Sequence, residues 1–159
     1  KEVKALLDTT DFQATETING ISKIATQTEV NAGFDDIKIV TSKKLKALFG
    51  GSNVNFGVNG YEKLPNGLIK QWGTASYIAP AATVGSISNV TVTFPVTFLS
   101  GVLSVSIAGN NSPAGDEGLE CIHSVESSTK TSMVIRAARL VGSPSPSAKG
   151  SVYWQVIGR

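Results

Sequence analysis

The chain has 159 residues, room for one ordinary domain or for a domain on a stalk. Hydrophobic residues make up 41%, enough for a core, and the single Cys121 excludes an intrachain disulfide framework or a multi-cysteine zinc site. Charge is sparse, at 16% Asp, Glu, Lys and Arg against about 25% in an average soluble domain, and the net charge of +2 is too small and scattered for a nucleic-acid-binding footprint.

No charged residue occurs from Gln71 to Gly115. That stretch does not read as a membrane insertion, because Ser, Thr, Asn, Gly and Pro interrupt every apolar run, as in TVGSISNVTVTFPVTF. A lipid-facing barrel strand would also be longer and recur more regularly. The sequence opens at Lys1 without a methionine or a signal peptide, so it reads as a piece of something longer. Composition changes near Gly50–Gly51, after which come every proline and arginine and both tryptophans. The expected domains are therefore a helical stalk over 1–50 and a β-rich head over 51–159.

In the stalk, Thr26-Gln27-Thr28-Glu29 matches a capping box, with Gly33 as the left-handed residue that ends the helix. Asp35-Asp36 reads as a turn. A second helix starts at Thr41 or Ser42 and runs through Lys43-Lys44-Leu45-Lys46-Ala47-Leu48-Phe49. Leu45, Leu48 and Phe49 make an i, i+3, i+4 stripe that needs a partner, since two turns of helix are marginal alone. Val3-Lys4-Ala5-Leu6-Leu7 faintly echoes Leu45-Lys46-Ala47-Leu48-Phe49, too little to establish an array.

In the head, Pro65-Asn66-Gly67 is a turn launching a strand from Leu68 to Trp72. Strand alternation follows at Val90, Val92 and Phe94 before Pro95, at Leu103, Val105 and Ile107, and at Leu119, Cys121, His123 and Val125. It continues at Met133, Ile135 and Ala137, then at Val152, Trp154 and Val156. Six or seven such strands predict a mainly β fold, an antiparallel β-sandwich. The long polar connections 109–118 and 142–150 exceed what a hairpin needs, and such loops on a rigid sheet often carry binding.

Catalytic constellations are missing. His123 is the only histidine, and its alternation with Cys121 and Val125 reads as a packed, hydrogen-bonded strand residue rather than a triad base. One histidine and one cysteine cannot close a metal site within one chain; three copies of His123 on a three-fold axis are one arrangement to weigh, and the loop acids Asp116 and Glu117 as weak calcium ligands are another. Asp116, Glu117 and Glu120 could be the carboxylates of a glycosidase, although acids in a glycine-rich loop are more often solvated. The expectation is no enzyme, no cofactor and no metal. Candidate receptor contacts are Asn110, Asn111, Asp116 and Glu117 of the first long loop, the basic Arg136, Arg139 and Lys149, and Tyr77 as a stacking ring. Trp72, Tyr153 and Trp154 are further rings that could stack on sugars, although Trp72 and Trp154 lie within strand patterns and are expected in core or interface.

The segment Gly20 to Gly33, continuing through Asp35-Asp36 to Leu45, resembles the short module repeated along tail fibres of tailed bacteriophages, with Ser42 where those modules commonly carry proline. Gly60-Tyr61-Glu62-Lys63-Leu64-Pro65-Asn66-Gly67-Leu68-Ile69-Lys70-Gln71-Trp72-Gly73, Val92 to Phe98 and the ending Tyr153 to Arg159 are similar to the C-terminal receptor-binding tip of such fibres and of R-type bacteriocins. That resemblance implies a homotrimer at the distal end of a virion's tail fibre, preceded by the rest of the fibre, that adheres to lipopolysaccharide or capsule. No axial metal motif of the His-x-His kind is present. Alternatives are a polysaccharide depolymerase built on the loop carboxylates and a purely structural fibre cap. Independently of the resemblance, short helices with apolar stripes and a low-charge head both call for covering partners, which a closed trimer supplies.

Overall fold

The computed structural model describes residues 13–79, 84–111, 121–140 and 148–159. It divides into two compact units, Lys1–Ser52 and Asn53–Arg159.

The first unit holds helices α1 (Gln27–Ala32) and α2 (Ser42–Leu48). Both halves of the Thr26–Glu29 capping box are made: Thr26 Oγ1 accepts the Glu29 N–H at 3.3 Å, and Glu29 Oε2 accepts the Thr26 N–H at 2.7 Å. Gly33 ends α1 at φ 69°, and its N–H donates to the Glu29 carbonyl, the left-handed geometry that glycine adopts without a Cβ penalty. Thr41 caps α2. Asp35 Oδ1 accepts the N–H groups of Ile37 and Lys38, so the predicted turn is an Asx-type turn. Lys38 bridges Glu29 and Asp35 and holds both carboxyls below their usual range, Glu29 at about 2.

This unit hides little of its apolar surface. Among its described residues only Ala25 is buried, while Ile18, Ile21, Ile24, Ile37, Ile39, Leu45 and Phe49 are exposed. Among the described residues the helical stripe thus stays open, with Leu45 and Phe49 exposed and Leu48 half-buried.

The second unit is a two-sheet sandwich. One sheet has the order β1 (Val54–Asn55), β2 (Gly60–Lys63), β3 (Ile69–Ala79), β8 (Ala148–Gly158), β5 (Val102–Asn111); the other runs β4 (Ile87–Thr93), β7 (Ser132–Arg139), β6 (Cys121–Ser128). Every strand pair is antiparallel. The Pro65-Asn66-Gly67 turn joins β2 to β3: Asn66 Oδ1 accepts the Leu68 N–H, and Gly67 takes φ 81°. Pro95 follows the end of β4, as expected from its missing N–H.

The core lies between the sheets. Tyr77, Val92, Phe94, Phe98, Met133, Ile135, Ala137, Val152, Trp154 and Val156 form one buried cluster. Phe94 packs edge-on against Phe98 at 5.3 Å and against Trp154 at 6.0 Å. Among the described residues strand phase follows the sequence alternation with one exception; Leu119 lies outside them. Leu103, expected to face inward with Val105 and Ile107, is 67% exposed, because the β5–β8 register shifts between Val102 and Ser104 and turns it outward.

Candidate functional site

The register of the sheets decides which candidates can meet a ligand. β3, β5 and β7 end, and β4, β6 and β8 begin, at one end of the sandwich, as the pairs Ala79–Ala148, Asn111–Gly150, Ile87–Ala138 and Cys121–Arg139 require. The connections β3–β4, β5–β6 and β7–β8 therefore all leave from that end. Both long loops singled out in the sequence belong to this set, but Asp116, Glu117 and Glu120 lie outside the described residues, as do the side chains of Asn111 and Lys149.

Two candidates are corrected. Tyr77 is 4% exposed and Arg139 is 1% exposed, so neither presents a surface to a receptor. The cause is strand phase: Tyr77 shares the inward face of β3 with Gln71 and Gly73, and Arg139 continues the inward series Met133, Ile135, Ala137. Arg136, one step out of that series, faces outward between Asn89 and Ser124 on the small sheet and is half-buried. Asn110 is exposed on the outer face of the large sheet, where its Nδ2 donates to the Tyr153 hydroxyl at 3.3 Å.

Beneath the loop end lies a small interior cluster. His123 packs edge-on against Tyr77 at 5.1 Å, and Gly109 and Gly150 leave the space that the His123 and Tyr77 rings fill. Burial, reinforced by the neighbouring Cys121 thiol, pushes the Tyr77 phenol up to about 12. Burial pushes His123 down, and its Nε2 has no hydrogen-bond partner among the described residues. His123 is thus packed as expected, but among the described residues it is not hydrogen-bonded at that atom. A histidine held neutral by folding contributes stability above its ordinary pKa of about 6.5, and loses it as pH falls from there towards the lowered value. We expect the His123 ring protons to titrate below the free-histidine midpoint in NMR, with unfolding stability declining as the solution is acidified past that point; a normal or raised midpoint would refute the packing argument. Among the described residues no group of His, Cys, Asp and Glu could hold a metal ion, and no helix is long and apolar enough to cross a membrane.

The large sheet carries a concave site that strand alternation did not single out. A groove of about 570 Å³ runs across its outer face, bounded by the β1–β2 connection at Phe56 and Val58 and by Trp72, Tyr153 and Gln155. Phe56 is 81% exposed and stacks on Trp72 at 6.4 Å and 28°. The Trp72 indole N–H donates to the Gly57 carbonyl at 3.3 Å, fixing that ring by its edge. Trp72, expected in core or interface, is half-buried in this wall, whereas Trp154 is in the core at 3% exposure. A sequence signal for the groove existed in the outward phase of Trp72 and Tyr153, but Phe56 sits in a connection where no periodicity applies.

Comparison with known proteins follows this architecture. A family model described as the C-terminal region of gp53-like tail fiber proteins matches residues 63–159. An N-truncated R1-type pyocin tail fiber has a similar fold, with a TM-score of 0.55 at 24% identity, over 67% of this chain and 84% of that one. A C-terminal piece of the P. aeruginosa R1 pyocin fiber gives a TM-score of 0.57 at 19% identity, over 98% of this chain and 43% of that one. At these identities the likeness to the two structures concerns the fold. No curated protein sequence matches the chain. With the model matched over more than half of its length, the chain belongs to the family of gp53-like tail fiber C-terminal domains.

Proposed function

We propose that this chain is the receptor-attaching end of a tail fibre: a homotrimer, preceded by the rest of the fibre, that grips a bacterial surface glycan, lipopolysaccharide or capsule, and leaves it chemically intact. The observation that carries the reading is the membership in a tail-fibre C-terminal family of a rigid sandwich that gathers three strand connections at one end. Rigid sheets with variable connections suit recognition of diverse surfaces. The uncovered isoleucines of the first unit support three-fold association, because an exposed apolar surface of that density calls for burial against sister chains. Three linked weak sites would then gain by avidity.

Light scattering coupled to size exclusion is expected to give one species of three times the chain mass, and labelled protein is expected to decorate cells whose surface polysaccharide is intact but not cells stripped of it. A monomer would overturn the assembly, and a verified trimer with no binding to any polysaccharide-bearing cell would leave only a structural cap. Shortening of purified polysaccharide on incubation would overturn the non-catalytic reading in favour of a depolymerase.

A further inference from the structure

We propose that the groove on the outer face of the large sheet is a saccharide subsite that holds one or two uncharged pyranose rings against Trp72 and Tyr153. The inference rests on the glycan-adhesin reading above and gives it a location and a ligand class. At about 570 Å³ the groove is the size of a small-molecule site, and two of the rings in its walls, Trp72 and Tyr153, are held in place by hydrogen bonds. Trp72 is clamped by Phe56 on one face and by the Gly57 carbonyl at its N–H. Tyr153, 52% exposed, is oriented by Asn110 through its hydroxyl. Aromatic rings so fixed offer contact area without ordering cost on binding.

The pattern between the rings is polar. Strand register sets Trp72, Gln155 and Ser106 in one row and Thr74, Tyr153 and Ala108 in the next, so an amide or hydroxyl adjoins each ring. A pyranose presents a C–H face framed by hydroxyls, which matches a ring with donors and acceptors beside it. Among the described residues no Asp, Glu, Lys, Arg or His lines the groove. A uronate or an ammonium sugar would shed hydration there and find no opposite charge, so charge complementarity selects a neutral sugar.

The test uses the full chain on an array of immobilised bacterial surface polysaccharides. The methyl glycosides of glucose, galactose and mannose serve as soluble competitors, with glucuronic acid and glucosamine as charged controls. Wild-type protein is expected to bind at least one polysaccharide and to be displaced by a neutral glycoside rather than by the charged sugars. Tyr153→Ala and Phe56→Ala, both at exposed positions, should weaken that binding about tenfold or more, the loss of roughly 1.4 kcal/mol, with assembly mass and circular dichroism unchanged. Tyr153→Phe should keep most of the affinity, since the ring remains. Full binding by both alanine variants would overturn the groove assignment while leaving the adhesin reading intact. Wild-type protein that binds nothing would remove both. Displacement by the charged sugars alone would overturn the neutral class, and an altered assembly mass in the variants would reassign the groove to contact with a second copy of the chain.

Discussion

Gln71→Leu is expected to destabilise the head by about 2–4 kcal/mol, the sum of two stranded backbone groups less the apolar gain. Gln71 is fully buried on the inward face of β3, where alternation calls for an apolar residue. Its amide behaves as a piece of strand: Nε2 donates to the Val96 carbonyl at 2.7 Å and Oε1 accepts the Val96 N–H at 2.8 Å. Val96 needs that partner, because β4 has ended and Pro95 cannot donate. The neighbouring N–H groups of Phe94 and Phe98 are taken by the carbonyls of Thr131 and Lys130. One side chain therefore completes the corner that carries the chain from the small sheet to β5 and seats Phe94 and Phe98 in the core. In urea, at fixed protein concentration, the midpoint should drop by roughly 1–2 M. A loss under about 1 kcal/mol would mean that the corner holds itself. Gln71→Glu supplies an independent signature. The carboxylate keeps the acceptor but faces the Val96 carbonyl without a donor, and burial raises its pKa. A raised carboxyl favours folding while protonated, so this variant should be more stable below the ordinary glutamate pKa and weaken as pH rises through the raised one.

That amide illustrates what the amino-acid sequence could and could not disclose. The inward series of β7 was legible because Met133, Ile135 and Ala137 alternate with half-buried partners, and the same periodicity extended one step further explains the burial of Arg139. For Arg139 residue type and strand phase point in opposite directions, and phase wins. The inward place of Tyr77 is not legible because β3 runs on to Ala79 through a stretch of small and polar residues that carries no apolar alternation. Leu103 failed for a different cause: a one-residue register shift is a property of the β5–β8 pairing and leaves no mark in either strand alone. Capping residues fared best, since Thr26, Glu29 and Gly33 act within one turn of helix and need no distant partner. The groove was hidden because it is assembled from three strands and a connection far apart in the chain.

Gly73→Ala is the second change with a large expected effect, about 1–3 kcal/mol of overpacking. Gly73 lies on the inward face of β3, paired with Trp154 across β8, and a Cβ there would come to 2.5 Å from Cζ2 and 2.7 Å from Cε2 of the Trp154 indole. The indole is 3% exposed and packed against Phe94, so it cannot swing aside as an exposed chain end would. The same Cβ would strike Asn59 Oδ1, which accepts the Thr74 N–H at 3.0 Å just beyond the last β2–β3 pair, Gly60–Trp72. The glycine thus serves two contacts at once, a core ring that needs its space and a loop side chain that caps the open edge of β3. If the indole is the main obstacle, Trp154→Leu should relieve it. In a double-mutant cycle the pair should cost at least about 0.5 kcal/mol less than the sum of the two single changes. Additive losses would instead assign the cost to Asn59, in which case Asn59→Gly should rescue Gly73→Ala and Trp154→Leu should not. Should Gly73→Ala unfold in urea at the wild-type midpoint, the close approach of the indole to the β3 backbone would not be a constraint on this sheet.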